Sequence, residues 1–188
     1  MDFFEEEAIR LNEGFLNNIF KNKKEEKAKI EKYLETVHKN KQSLITIFNT
    51  IINEFKKHTS KYLGKFNCTT HFCSAEELYN EVENEIKNGY SINLAFELFI
   101  GRVCTNYTEG SMTDDEDDKF WAAATDMIEN KISKNSLLLK YGRVENRSFR
   151  YYQGDDLDFC FYVNPEIIGL DRDKYGFLED ILNGIDHY

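Results

Sequence analysis

Proline is almost missing from this chain. Pro165 is the only one in 188 residues, so no earlier position lacks a backbone N–H, and nothing before it forbids a long helix on that ground. Wholly apolar runs reach only a few residues, which leaves no stretch able to span a membrane. Met1 is followed by Asp2 and then by Glu5, Glu6 and Glu7 rather than by a basic, apolar leader, which predicts a cytoplasmic protein with no signal peptide or lipid anchor. In that compartment the four cysteines, Cys68, Cys73, Cys104 and Cys160, read as reduced thiols and not as a disulfide framework. Only four histidines occur, His38, His58, His71 and His187, and none adjoins a nucleophile or a paired acid in a motif. There is no Gly-rich phosphate loop, no Gly-x-Ser-x-Gly and no His-Glu-x-x-His, so the sequence implies no enzyme and no cofactor.

What is present is enough for a core. Hydrophobic residues make up 41% of the chain, with 15 Phe and 11 Tyr, which argues against disorder. The clearest pattern is a seam of Ile30, Leu34, Val37, Lys41, Leu44, Phe48, Ile51, Phe55, His58 and Tyr62 at alternating steps of four and three. It predicts a long helix ending at Gly64, lysine-rich and solvated up to Asn40 and broad enough to be buried from Leu44 to Phe55. An apolar stripe of Phe4, Ala8, Leu11, Phe15 and Ile19 predicts a first helix over 3–20, turning near Asn22 into a helical hairpin.

After an irregular piece with Cys68, His71 and Cys73, the pair Ser74 and Glu77 has capping-box spacing and predicts a helix over 75–88. Ile92 to Val103 is apolar enough to be a strand or a buried helix, and the spacing of Leu94, Leu98 and Ile100 favours helix. Thr113 and Glu116 repeat the capping box and predict a helix to about Ser133. Ser136–Val144, Ser148–Gln153 and Leu157–Val163 read as an antiparallel meander, closed by a helix over 175–185. The expected class is α+β: an N-terminal helical hairpin or arm over 1–64, and an acidic part over 65–188 whose helices pack on a small antiparallel sheet from the C-terminal third. The acidic part forms one continuous domain with the C-terminal half of the long helix.

Charge separates these parts. Residues 1–65 carry 13 Lys and Arg against 10 Asp and Glu, while residues 66–188 carry 11 against 24. The second part should repel nucleic acid and anionic membranes and attract basic protein surfaces. The residues expected to do so are Asp114, Asp115, Glu116, Asp117 and Asp118 in the first turn of one helix, and Glu76, Glu81, Glu83 and Glu85 along another.

Other clusters have plainer readings. Cys68, His71 and Cys73 lack the spacing of a recurrent zinc knuckle and read as structural. Asp171-x-Asp173-x-x-Gly176 begins like a calcium loop but has Leu182 where a bidentate Glu is required. Asp155, Asp156 and Asp158 suit a hairpin corner, and Arg143, Arg147 and Arg150, set among aromatics, suit cross-strand pairing with them.

The resulting expectation is a non-enzymatic acidic protein that inhibits a basic, nucleic-acid-acting partner, in the manner of an immunity protein, antitoxin or phage inhibitor. Two alternatives stand beside it: an assembly module that dimerises through the Ile30–Tyr62 helix, and a metal-dependent enzyme using the Asp114–Asp118 or Asp155–Asp158 carboxylates.

Overall fold

The computed structural model describes residues 23–25, 27–89, 95–105, 113–145 and 156–170. The expected helices over 3–20 and 175–185 lie outside those residues. So do the turn near Asn22, the strand over 148–153, the Asp171 loop, His187, Asp155, Arg147 and Arg150.

The heptad region forms two helical segments. The first, α1, covers 27–39, and the second, α2, runs Lys41–Leu63. At Asn40 the backbone N–H is shared between the carbonyls of Thr36 and Val37, each at 3.1 Å, and the side-chain amide donates to the Thr36 carbonyl at 2.8 Å. The polar side chain thus bonds the turn where the two segments meet. The predicted seam holds from Leu44 through Phe48 and Ile51 to Phe55, all fully buried, and then moves to Thr59 and Leu63, leaving His58 and Tyr62 half-buried. A straight helix of 3.6 residues per turn drifts off a 3.5 repeat in this way when no partner helix supercoils around it. Tyr33 and Val37 of α1 are also buried and belong to the same hydrophobic core as the sheet, so α1 is not solvated all round.

α2 ends at Gly64, although not through a left-handed residue. Gly64 has φ −64°, and a Cβ there would stand 2.5 Å from the Ser60 carbonyl oxygen, so close approach explains the glycine. The next helix, α3 (Ala75–Lys87), has the predicted capping box. The Ser74 N–H donates to Glu77 Oε2 at 2.6 Å and the Glu77 N–H to Ser74 Oγ at 3.2 Å. The helix α4 (Asp114–Asp126) is likewise opened by Thr113 and Glu116, and it widens into a π-helical turn over Met127–Ile132 that brings Met127, Ile128 and Ile132 into the core.

The fold is α+β, as expected, with one four-stranded antiparallel sheet. Its strands are β1 (Cys68–Phe72), β2 (Glu97–Thr105), β3 (Gly142–Glu145) and β4 (Asp156–Val163), in the order β1-β2-β4-β3. One of these lies where no strand was expected, and another where helix was favoured over strand. The apolar run favoured as helix contains β2, whose alternation is broken by a bulge between Phe99 and Gly101 that leaves Ile100 and Gly101 both buried. The irregular Cys68 segment is β1, a short edge strand of Cys-Thr-Thr-His-Phe with too little apolar alternation to announce itself. Conversely, most of Ser136–Val144 is turn and 3₁₀ helix, because Asn135 Oδ1 accepts the N–H groups of Leu137 and Leu138 at 2.9 and 3.3 Å. Pairing starts only at Gly142.

Helices cover one face of the sheet. Phe55 of α2 packs on Phe159 and Phe161 of β4, with ring centroids 5.4 and 6.2 Å away, and Phe72 of β1 stacks on Phe159. The opposite face presents Arg102, Cys104, Asp156 and Asp158, all half-buried. Among the described residues no helix is long and apolar enough to cross a membrane.

Candidate protein-docking surface

The apolar stripe of α3, Ala75, Leu78, Tyr79, Val82 and Ile86, is buried, and this decides where its acids lie. Glu81 and Glu85 follow Leu78 and Val82 by three residues, so they flank the stripe together on one side, one helical turn apart. Glu83 falls on the other flank, where His38 of α1 stands 3.3 Å away and Lys87 pairs with it. Glu76 is exposed. The nine predicted docking acids therefore divide into those bonded within the chain and those left over.

Electrostatics shows the same division. The hydrogen bond from Lys87, assisted by His38, holds the Glu83 carboxyl below its ordinary value despite some burial. Glu81 goes the opposite way. Burial pushes its carboxyl up, and the neighbouring Glu85 pushes it further. Neither Glu81 nor Glu85 has an ion pair or hydrogen bond among the described residues. A half-buried carboxylate beside a like charge, with no cation, destabilises the free protein.

In α4, Glu116 is held in the capping box, and Asp115 accepts from Lys119 at 2.5 Å. Asp117 is half-buried, while Asp118 is exposed and without an ion pair among the described residues. Asp114 opens the helix; its side chain is outside the described residues. The two acidic helices engage different ends of α2. Tyr79 of α3 lies under Lys41 at the start of α2, 4.5 Å from its ammonium, whereas Phe120 of α4 packs edge-on against Phe66, just beyond the end of α2.

No known family, curated protein or solved structure matches this chain.

Two other polar clusters come from the fold. Arg102 of β2 holds the β4 acids, in the role expected of the later arginines. Its Nε and Nη2 donate to Asp158 at 2.5 and 2.8 Å, and Asp156 lies 3.4 Å from Nη1. That fork keeps the guanidinium charged, raised by the Asp158 hydrogen bonds. Arg143 lies over the Tyr162 ring, 5.0 Å from its centroid.

The second cluster had no sequence signal beyond the i,i+4 spacing of Glu54 and His58. Asn135 arrives from 81 residues away and donates to Glu54 Oε2 at 2.8 Å, with His58 Nε2 3.3 Å from the same amide nitrogen. Burial opposes ionisation of Glu54, but the hydrogen bonds from Asn135 and Lys57 outweigh it and lower its carboxyl. Burial lowers His58, against the pull of Glu54. Among the described residues His58 Nδ1 is buried with no hydrogen-bond partner. The cluster clamps α2 to the turn after the π-helix.

β1 separates the cysteine group. His71 lies on the opposite side of the strand from Cys68, and Cys73 lies beyond the strand end. Cys68 Sγ donates to the Leu63 carbonyl at 3.6 Å and Cys73 Sγ to that of Phe99 at 3.3 Å. Burial pushes both thiols up, which disfavours the thiolate. Among the described residues no three His, Cys, Asp or Glu side chains converge as a metal site would require.

Proposed function

We propose that this protein is a non-enzymatic, cytoplasmic binding protein whose acidic α3 surface docks a basic site on a partner protein. The observation that carries this reading is the Glu81–Glu85 pair, two carboxylates one turn apart with burial and mutual repulsion raising Glu81. A Lys or Arg from the partner would supply the missing countercharge, so binding relieves a strain that the free chain bears. Glu76, seven residues before Glu83, lies on the Glu83 flank of the helix and stands apart from this pair. Asp118 and the excess of acids after residue 65 add long-range attraction and speed encounter. A partner that itself holds nucleic acid through lysines and arginines would be blocked by such contacts, which is the mode of an inhibitor, immunity protein or antitoxin.

The test is affinity capture of the tagged full chain from lysate of its source, washed at low and then moderate salt, beside a Glu81→Gln/Glu85→Gln variant. Retention of one stoichiometric basic protein by the wild type, with loss from the variant, is expected. Equal retention by both would overturn the assignment of the surface.

A further inference from the structure

Among the described residues the sheet has edges at β1 and β3. Natural edge strands are protected by charge, proline or cover. β3 is four residues long and carries Arg143, whereas β1 has no Lys, Arg, Asp, Glu or Pro, and its Thr69, Thr70 and His71 are exposed. The phase of the β1–β2 ladder is fixed by the Cys73 N–H, which donates to the Ile100 carbonyl at 3.0 Å. With Phe72 opposite Gly101 and His71 opposite Arg102, alternation makes Cys73, His71 and Thr69 the residues that exchange hydrogen bonds with β2. The N–H and C=O groups of Thr70 and Phe72 therefore point away from the sheet.

The same two residues, with Lys56, Thr59 and Ser60 of α2, line an open groove of about 370 Å³. One side of Phe72 is stacked on Phe159, and the Lys56 ammonium stands 5.7 Å from its ring centroid. Thr59 is also unusual. The hydroxyls of Thr36, Thr46 and Thr50 each bond the carbonyl four residues back, but buried Thr59 Oγ1 has no hydrogen-bond partner.

We propose that this groove receives an extended, acidic peptide segment of a partner as a fifth strand added to β1. The peptide pairs with the outward N–H and C=O groups of Thr70 and Phe72, turns an apolar side chain onto Phe72, and places a carboxylate at Lys56. Charge favours this occupant over a second copy of the chain. Two β1 edges paired across a twofold axis would bring both α2 helices, with Lys56, Lys57 and Lys61, towards one another. The proposal does not depend on the α3 surface.

The experiment follows the backbone amides of the full chain by NMR during titration with a short, blocked peptide that carries valine and glutamate two residues apart, so that both fall on the face of the added strand that meets Phe72 and Lys56. The same peptide with lysine in place of glutamate is the comparison. The acidic probe should shift the Thr70 and Phe72 amides and slow their hydrogen exchange, and the lysine probe should not. Thr70→Pro removes an outward N–H that β2 does not use, so the edge should survive while the acidic probe no longer binds. Lys56→Glu, a surface change, should weaken the acidic probe about tenfold. Unmoved Thr70 and Phe72 amides at millimolar probe, equal binding of the lysine probe, or unchanged binding to Thr70→Pro would overturn the proposal. Concentration-dependent protection of those amides without any probe would also overturn it, by making a second copy the occupant.

Discussion

Replacing Asn135 with alanine tests whether α2 is clamped to the far side of the fold. The side chain has contacts in two directions: its amide donates to Glu54 Oε2 at 2.8 Å, and its carbonyl accepts from Leu137 and Leu138 at 2.9 and 3.3 Å. The Glu54 side chain is only 16% exposed, so water replaces the lost donor poorly. A hydrogen bond to a charged group is worth about 1.5–3 kcal/mol and a neutral one about 1 kcal/mol. Lys57 remains as a donor to Glu54 at 3.2 Å and offsets part of the loss. The expected destabilisation of Asn135→Ala is about 2 kcal/mol, read from the urea midpoint at constant slope. Asn135→Asp keeps the acceptor for the turn but sets a carboxylate against Glu54. It should be as unstable as the alanine variant at neutral pH and recover relative to it as the medium becomes acidic. A loss below about 0.5 kcal/mol for Asn135→Ala, or no pH-dependent recovery for Asn135→Asp, would refute the clamp.

Other consequences can be measured on the same protein. Phe55→Ala, at a fully buried ring between α2 and β4, should cost about 3–5 kcal/mol in the same denaturation assay. Gly101→Ala would drive a Cβ into the His71 carbonyl and to 2.7 Å from the Phe72 ring, so a loss of about 1–3 kcal/mol is expected, with the amide shifts of β1 disturbed most. Because burial lowers His58 below its ordinary 6.5, the unfolded chain takes up that proton first as pH falls. Stability should therefore decline on acidification from that point, and His58→Gln should flatten the profile just below pH 6.5. Glu54, also lowered, contributes stability that is present above the usual carboxylate range and lost as pH falls through its folded-state value. Glu81 has the opposite sign: its raised carboxyl makes the folded state lose stability as pH rises through the folded value, so Glu81→Gln should stabilise the neutral protein by about 0.5 kcal/mol.

The sequence was informative where the controlling interactions are local. Both capping boxes join residues three apart, and both are formed by the residues that announce them. The seam of α2 was visible because one face repeats over many turns, although its drift to Thr59 and Leu63 follows from packing on a sheet instead of a helix. The sheet was harder to read. β1 is a short edge strand with little apolar alternation, and the bulge in β2 shifts the alternation that marks a strand. The same limit applied at the candidate surfaces. Carboxylates could be counted along α3, but the Glu83 partner His38 belongs to α1, and only the folded arrangement separates Glu83 from Glu81. Asn135 could not be matched to Glu54 across 81 residues by any local rule.

Glu81 and Glu85 are proposed to take their cation from a partner. Titration of the Glu81 side-chain carboxyl by carbon NMR, in the free protein and in complex with the basic protein retained on capture, tests it most directly. The carboxyl should lie above its ordinary value when free and fall when bound. An unchanged titration in the complex would contradict it.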